Sequence, residues 1–298
     1  MTRRAPLVAL VALVGVTAIW GITFVQVQDA IALYPLFAFL AVRFAISTVV
    51  LAPFAWRSLR TLPRSGYAAG VGAGVLLAIA YGLQTAGLEL TTVASTGFIT
   101  GLYVVFTPLL ALAFFGTRVP RALWAGVALA VIGLLLLNGV PGGSTLGNAL
   151  VLGNALFQAF QITAMERFAP RYDARALTFL QMATAFAGFT IVAVALGQLE
   201  VPRGATVWGA LLVTGVFAGA LGYLIATWVQ ARTTAARAAL VFTLEAPFAA
   251  LAGVLLADEI LGWAGWIGCA VMMGGILVAE PVAAATLRRL AWRGSARA

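Results

Sequence analysis

The sequence predicts an all-α integral membrane protein of ten transmembrane helices, arranged as two inverted five-helix repeats. Three observations lead there. The 298-residue chain is 63% hydrophobic and 9% charged, whereas ordinary soluble domains carry roughly 25% charged residues. Ten apolar stretches of about 20 residues, the length that crosses roughly 30 Å of hydrocarbon as helix, follow one another with short connections. The arginines fall almost entirely on one side of those stretches.

Taken in order, the first span, 6–27, follows Arg3 and Arg4. Two arginines before an apolar run resemble a signal peptide, but the run is long enough to span and more spans follow at once. It reads as an uncleaved first helix. Spans 34–56 and 67–88 enclose Arg57, Arg60 and Arg64; spans 93–116 and 122–139 enclose Arg118 and Arg121. Spans 147–166 and 175–197 meet around Arg167, Arg171 and Arg175, and spans 205–230 and 236–256 around Arg232 and Arg237. The tenth span, 263–284, runs into Arg288, Arg289, Arg293 and Arg297. The opposite loops hold Arg203 alone, against Asp29, Glu89, Glu200, Asp258 and Glu259. Positive charge stays on the cytoplasmic side, so both termini are expected there. The lysine-free, alanine- and arginine-rich composition fits a GC-rich bacterial genome, hence a bacterial inner membrane.

Composition also excludes function classes. The net charge of +9 sits in short loops, not on a solvated face as in nucleic-acid binders. Without lysine there is no Walker A motif to drive an ATP pump. Without histidine there is no HExxH zinc site and no histidine-ligated haem, so no metal or cofactor is expected. The single cysteine, Cys269, has neither a disulfide partner nor a histidine base. Ser47 and Ser95, inside spans, have no visible base either, which leaves an intramembrane enzyme as the remote alternative. A channel would need a pore-lining ring or a carbonyl filter, and the sequence offers none.

The ten spans repeat five by five. "AYGLQTAGLELTTVA" (80–94) lines up with "GYLIATWVQARTTAA" (222–236) at a constant offset of 142, Tyr81 falling on Tyr223 and Thr85 on Thr227. Trp124-x-Gly126 and Gly133 recur as Trp266-x-Gly268 and Gly275 at the same offset. Earlier in each half the offset is about 138, which sets Arg43 opposite Gln181 and Trp20 opposite Gln158. Five is odd, so the second copy enters the membrane inverted. The halves are expected at 1–139 and 147–285, followed by a basic cytoplasmic tail, 286–298. Inverted repeats build many secondary transporters, with a substrate site near the midplane between the halves. Pairs such as Gly70-x-x-x-Gly74, Gly97-x-x-x-Gly101 and Gly215-x-x-x-Gly219 allow close helix approach.

At this point the motifs carry a resemblance. "AIWGITF" in the first span, "AVRF" in the second and "ARAALVFTLEAPFAALAGVLLADE" in the ninth resemble the EamA family of the drug/metabolite transporter (DMT) superfamily. "YGLQTAGLELTTVASTGFITGLYVVFTPLLAL" is similar to its YddG-type branch, exporters of aromatic and other amino acids. Glu245-Ala246-Pro247 departs from the commoner Glu-Pro pairing. The resemblance covers nearly the whole chain. It implies a ten-helix basket with inverted halves around a central cavity, lined by spans 1, 3, 4, 6, 8 and 9, with spans 5 and 10 peripheral.

On those spans the residues supply a polar and aromatic inventory. Substrate-binding candidates are Trp20, Thr23 and Gln26 in span 1, Tyr81 and Gln84 in span 3, and Thr100 and Tyr103 in span 4. The second half adds Phe157, Gln158 and Gln161 in span 6, Tyr223 and Trp228 in span 8, and Glu245 in span 9. Deep tyrosine hydroxyls want partners and so favour the bundle interior; the amides and threonines serve equally well as interhelical glue. Pro108 and Pro247 each remove one helical hydrogen bond and are structural or gating candidates.

Arg43 is the third such candidate, a guanidinium in an otherwise apolar span, where a charge costs on the order of 3 kcal/mol. Arg43 and Glu245 both lie near mid-depth, about eight and about nine residues into their spans at roughly 1.5 Å per residue. They are expected to contact each other or to share a water or a bound carboxylate. The function expected is alternating-access export of amino acids, aromatic or large apolar, or of similar small metabolites, by a monomer or dimer. Export of other drugs or metabolites on the same fold is the alternative; a channel-like facilitator ranks below it.

Overall fold

The structure, a computed structural model, describes residues 5–91, 93–139, 143–256 and 260–279. Arg3, Arg4, Asp258, Glu259, the last residues of the second repeat and the basic tail lie outside the described residues. Among the described residues every regular element is helical. The first half forms α1 (Ala5–Ile31), α2 (Leu36–Arg60), α3 (Arg64–Leu90), α4 (Val93–Gly101), α5 (Tyr103–Phe115) and α6 (Arg121–Asn138). The second forms α7 (Thr145–Phe168), α8 (Ala174–Ala195), α9 (Ala205–Leu212), a π-helical segment (Val213–Gly222) and α10 (Tyr223–Gln230). It closes with α11 (Ala235–Phe242), α12 (Glu245–Leu256) and α13 (Trp263–Ala279). Among the described residues seven stretches are long and apolar enough to cross a membrane: α2, α3, Ser95–Phe115, α6, α8, Ala205–Gln230 and Ala235–Leu255.

Local chemistry sets the helix ends. Proline stands immediately before α2, α3 and α6 (Pro35, Pro63, Pro120), where its missing N–H costs nothing. Side-chain oxygens of Ser144, Asp173 and Thr234 accept from the first turns of α7, α8 and α11. Gly116, at φ 62°, ends α5 in the left-handed conformation that glycine adopts without strain.

Three stretches expected as single helices are broken. α4 and α5 part at Leu102, α11 and α12 at Thr243–Leu244, and the stretch from Ala205 to Gln230 widens into π geometry at its centre. The break at Thr243 follows from Pro247, which has no N–H for the Thr243 carbonyl four residues back. The Ala246 N–H bonds that carbonyl instead, at 3.2 Å. The π segment reads "VTGVFAGALG", and side chains of other helices take up two of its carbonyls. Ser47 Oγ donates to the Gly215 carbonyl at 2.7 Å and Trp20 Nε1 to the Ala218 carbonyl at 3.0 Å.

Glycine sets the closest crossings. A β-carbon added at Gly133 would lie 2.7 Å from the Gly268 carbonyl oxygen, and one at Gly268 would lie 2.6 Å from that of Gly133. Gly126 and Gly275 face each other in the same way, so α6 and α13 touch backbone to backbone. Gly70 and Gly74 seat α3 on Leu180, Gln181 and Thr184 of α8. Gly215 and Gly219 seat the π segment on Arg43, Ile46 and Ser47 of α2. The close approach expected of these glycine pairs is thus present.

Gly133→Ala should destabilise the detergent-solubilised protein by about 1–3 kcal/mol, the usual cost of overpacking, because the backbone of α13 has to move. Gly72→Ala, where nothing lies within 4 Å, should leave the thermal midpoint unchanged. Equal midpoints for the two variants would refute the tight crossing.

Candidate functional site

A cavity of about 410 Å³ lies between α1, α2, α3, α4, α5, α6, α11 and α12. Its wall residues come from corresponding depths: Trp20 and Thr23 of α1, Leu40 and Arg43 of α2, Tyr81 and Gln84 of α3. All belong to the half of the bundle remote from the start of α1. Val254, Ile260 and Leu261 frame the mouth, and Ile260 is 97% exposed. The cavity therefore opens at the bundle end opposite Arg57, Arg64, Arg121 and Arg232.

Aromatic rings close its deep end. Trp20 packs on Tyr223 at 5.1 Å and on Phe242 at 5.3 Å between centroids. The Tyr223 hydroxyl donates to that of Tyr81 at 3.2 Å. Tyr103 is buried at the start of α5, where the break after Gly101 turns it toward the cavity.

The polar wall is smaller than its residue types suggest. Thr23, Thr85 and Thr243 donate their hydroxyls to carbonyls of their own helices, at 2.8, 2.6 and 2.6 Å. Thr100 is the hub: its oxygen accepts from Gln84 Nε2 at 3.2 Å and from Asn154 Nδ2 at 3.0 Å. The amides of α3 and α7 are thereby tied to α4.

Two charged side chains share the cavity, Arg43 and Glu245. Arg43, the eighth residue of α2, is 6% exposed. Its guanidinium lies 5.2 Å from the Tyr81 ring centre and 5.8 Å from that of Phe44, contacts that favour a cation. Its Nε has no hydrogen-bond partner among the described residues. Glu245 opens α12 just after the break, and the N–H groups that follow it are spent on the break, Ala246 bonding the Thr243 carbonyl and Phe248 that of Leu244. The direct contact expected of the pair is absent: Arg43 and Glu245 form no ion pair within 4.0 Å. The two groups approach the cavity on different helices, and the Tyr81 and Phe44 rings hold the guanidinium in place.

The structure thus brings together Trp20, Thr23, Tyr81, Gln84, Thr100, Tyr103, Glu245 and Arg43. The other candidates lie elsewhere. Gln26 has a buried, unpartnered Oε1 away from the wall. Gln161 donates to Gln181 Oε1 at 2.7 Å, and Phe157 packs on Phe160 at 6.4 Å. Gln158 is half-buried in α7 without reaching the cavity. Tyr223 supports the floor from beneath. Trp228 lines a separate groove at the arginine-bearing end, with Arg232 stacked on it at 4.1 Å. Pro247 shapes the α11–α12 break, and Pro108 is buried in α5.

The lining expected from the resemblance is corrected in three respects. Span 2, not among the expected lining spans, contributes Leu40 and Arg43. Spans 6 and 8 contribute no wall residue. Span 5, expected at the periphery, contributes Leu134, Leu137 and Asn138, because Gly97 and Gly101 of α4 sit directly against Asn138 and Leu134. Asn138 was missed. Its signal was a lone amide at the end of an apolar run, opposite a small-residue face.

The EamA-like transporter family model matches residues 7–139 and again 145–279. An uncharacterized transporter of Archaeoglobus fulgidus is 30% identical over 269 residues, covering 88% of this chain and 82% of that protein. A crystal structure of a protein 20% identical superposes with a TM-score of 0.78, covering 92% of this chain and 98% of the other. At that identity the likeness is one of fold.

Thr100→Val removes the acceptor shared by Gln84 and Asn154 and should cost about 1–3 kcal/mol, read as a lower unfolding midpoint in detergent. Thr190→Val, whose hydroxyl bonds only the carbonyl of Phe186 in its own helix, should cost far less. Matching losses would deny Thr100 its place as the hub.

Proposed function

The chain belongs to the EamA-like transporter family, and on that premise we propose that it exports amino acids, aromatic or large apolar, by alternating access. The single observation that carries this reading is the cavity itself. It is open at one end, floored at the other by Trp20, which Tyr223 and Phe242 back, and walled by Tyr81 and Tyr103 with one arginine and one glutamate. Its volume of about 410 Å³ falls within the roughly 300–1,000 Å³ of small-molecule sites. Rings and apolar surface suit a large side chain, while the scarcity of cations disfavours phosphate esters.

Two contacts support ten spans in two inverted halves. Tyr81 and Tyr223, which the repeat equates, meet hydroxyl to hydroxyl. Gly126 meets Gly275 while Gly133 meets Gly268; since Gly126 corresponds to Gly268 and Gly133 to Gly275, the contact is reciprocal, as a two-fold axis requires. With the arginine-bearing end in the cytoplasm of a bacterium, both termini face inward. The cavity then faces outward, a release-competent state for an exporter.

On a Cys269→Ala background, Ser65→Cys and Ala205→Cys stand at the start of the third span of each half and should label from opposite sides of the membrane. Labelling from the same side would end the inverted arrangement. In proteoliposomes, L-phenylalanine uptake should saturate and show counterflow, which a channel does not. Stacking contacts are worth about 0.5–1.5 kcal/mol beyond buried area. Tyr103→Ala and Tyr81→Ala should therefore slow phenylalanine several-fold while slowing alanine or threonine less. Equal losses on all substrates would assign these tyrosines to the fold, and a folded protein that moves no amino acid would refute the substrate.

A further inference from the structure

We propose that Arg43 is the anion anchor of the cavity: its guanidinium takes the carboxylate of a net-neutral zwitterion, and Glu245 takes the ammonium. The inference rests on the transporter reading above and deepens it, moving Arg43 from the framework into the binding site. Three observations carry it. Arg43 is more than nine-tenths buried, yet its Nε lacks a partner and its side chain makes no ion pair within 4.0 Å among the described residues. An arginine kept only for structure would use those donors, since an unpaired charge at this depth is costly.

Second, the contacts Arg43 does make leave its donors free. The Tyr81 and Phe44 rings engage the cation through its charge, whereas the five N–H groups point outward in the guanidinium plane. A carboxylate is the group that plane fits, through two parallel hydrogen bonds. Third, Glu245 lines the same cavity without closing on Arg43. Arg43 is the one cation among the described wall residues, so a second negative charge on a ligand would go unpaired, which disfavours phosphates and dicarboxylates. A ligand carrying both signs on adjacent atoms satisfies both residues at once.

Three ligands differing by one group test this on the purified full chain by calorimetric titration: L-phenylalanine, phenethylamine without the carboxylate, and 3-phenylpropionate without the ammonium. Charge-assisted hydrogen bonds contribute about 1.5–3 kcal/mol, so wild type should bind phenethylamine about 10- to 100-fold more weakly than phenylalanine. In Arg43→Gln that preference should collapse to within about threefold, and Arg43→Lys should restore part of it. Glu245→Gln should instead abolish the preference over 3-phenylpropionate. If Arg43→Gln does not fold, the wild-type series with Arg43→Lys decides: wild type without preference for the carboxylate overturns the anchor. An Arg43→Gln protein that keeps the full preference overturns it too, while amino-acid transport survives. Failure of the amino-acid reading has another signature. No labelled amino acid is taken up, yet benzoate and lactate still bind wild type and not Arg43→Gln. Wild type that binds no carboxylate of either set overturns the inference.

Discussion

Hydrocarbon offers a peptide group no hydrogen bond, so irregular backbone within a membrane bundle survives only where protein or a cavity satisfies it. That constraint organises this chain. Its helices break at Leu102 and at Thr243–Leu244, and widen between Val213 and Gly222. The first two lie beside the cavity between α1 and α12, and the third lies behind Trp20 of its wall. Around them other helices supply what the backbone needs. Ser47 and Trp20 reach the carbonyls of the π segment, and threonine hydroxyls add bonds to carbonyls at helical spacing. π segments occur mostly at functional sites, and this one holds the Trp20 indole of the wall through the Ala218 carbonyl.

The same packing that closes the bundle at one depth opens it at another. Glycine brings α6 against α13, α3 against α8 and α2 against the π segment until backbone meets backbone or β-carbon. These seams join the two segments that match the family. Beside them the small face of α12, with Ala246, Ala249 and Ala250 along the wall, leaves volume unfilled. Close seams and an unfilled centre both come from small residues: glycine against a neighbouring helix closes a gap, and alanine facing the cavity leaves one.

Much of this was legible in the sequence, because hydrocarbon imposes a length and a composition that can be counted. The long helices of the first half stand within a few residues of their expected limits, and the glycine seams run where close approach was expected. Eight of the residues singled out meet at the cavity. What could not be read was which side of each helix faces inward. In a helix apolar all round, no stripe marks the core-facing side, so Phe157, Gln158 and Gln161 could not be told from wall residues by type. The expectation that span 5 is peripheral failed for a related reason. Whether its end touches the cavity depends on how near α4 lies, and that distance is set by two glycines on another helix. The broken helices were half legible: Pro247 announces its own break, whereas the π segment has only its glycines to mark it.

The separation of Arg43 and Glu245 is the last consequence of these constraints. Equal depth in the sequence implied that the two share a level of the bundle, and they do share a cavity. Equal depth says nothing of azimuth, however, and here azimuth keeps them apart. A closed ion pair would have satisfied both charges at rest, and a substrate would then have had to break it, leaving buried charge uncompensated on the way. Rings of Tyr81 and Phe44 hold the guanidinium instead, while the carboxylate sits on the first turn of α12. The ring contacts fix the guanidinium while leaving its hydrogen-bonding groups unspent. In the proposed site the cost of keeping the charges in hydrocarbon is thus met by the fold before the ligand arrives, which is what preorganisation requires.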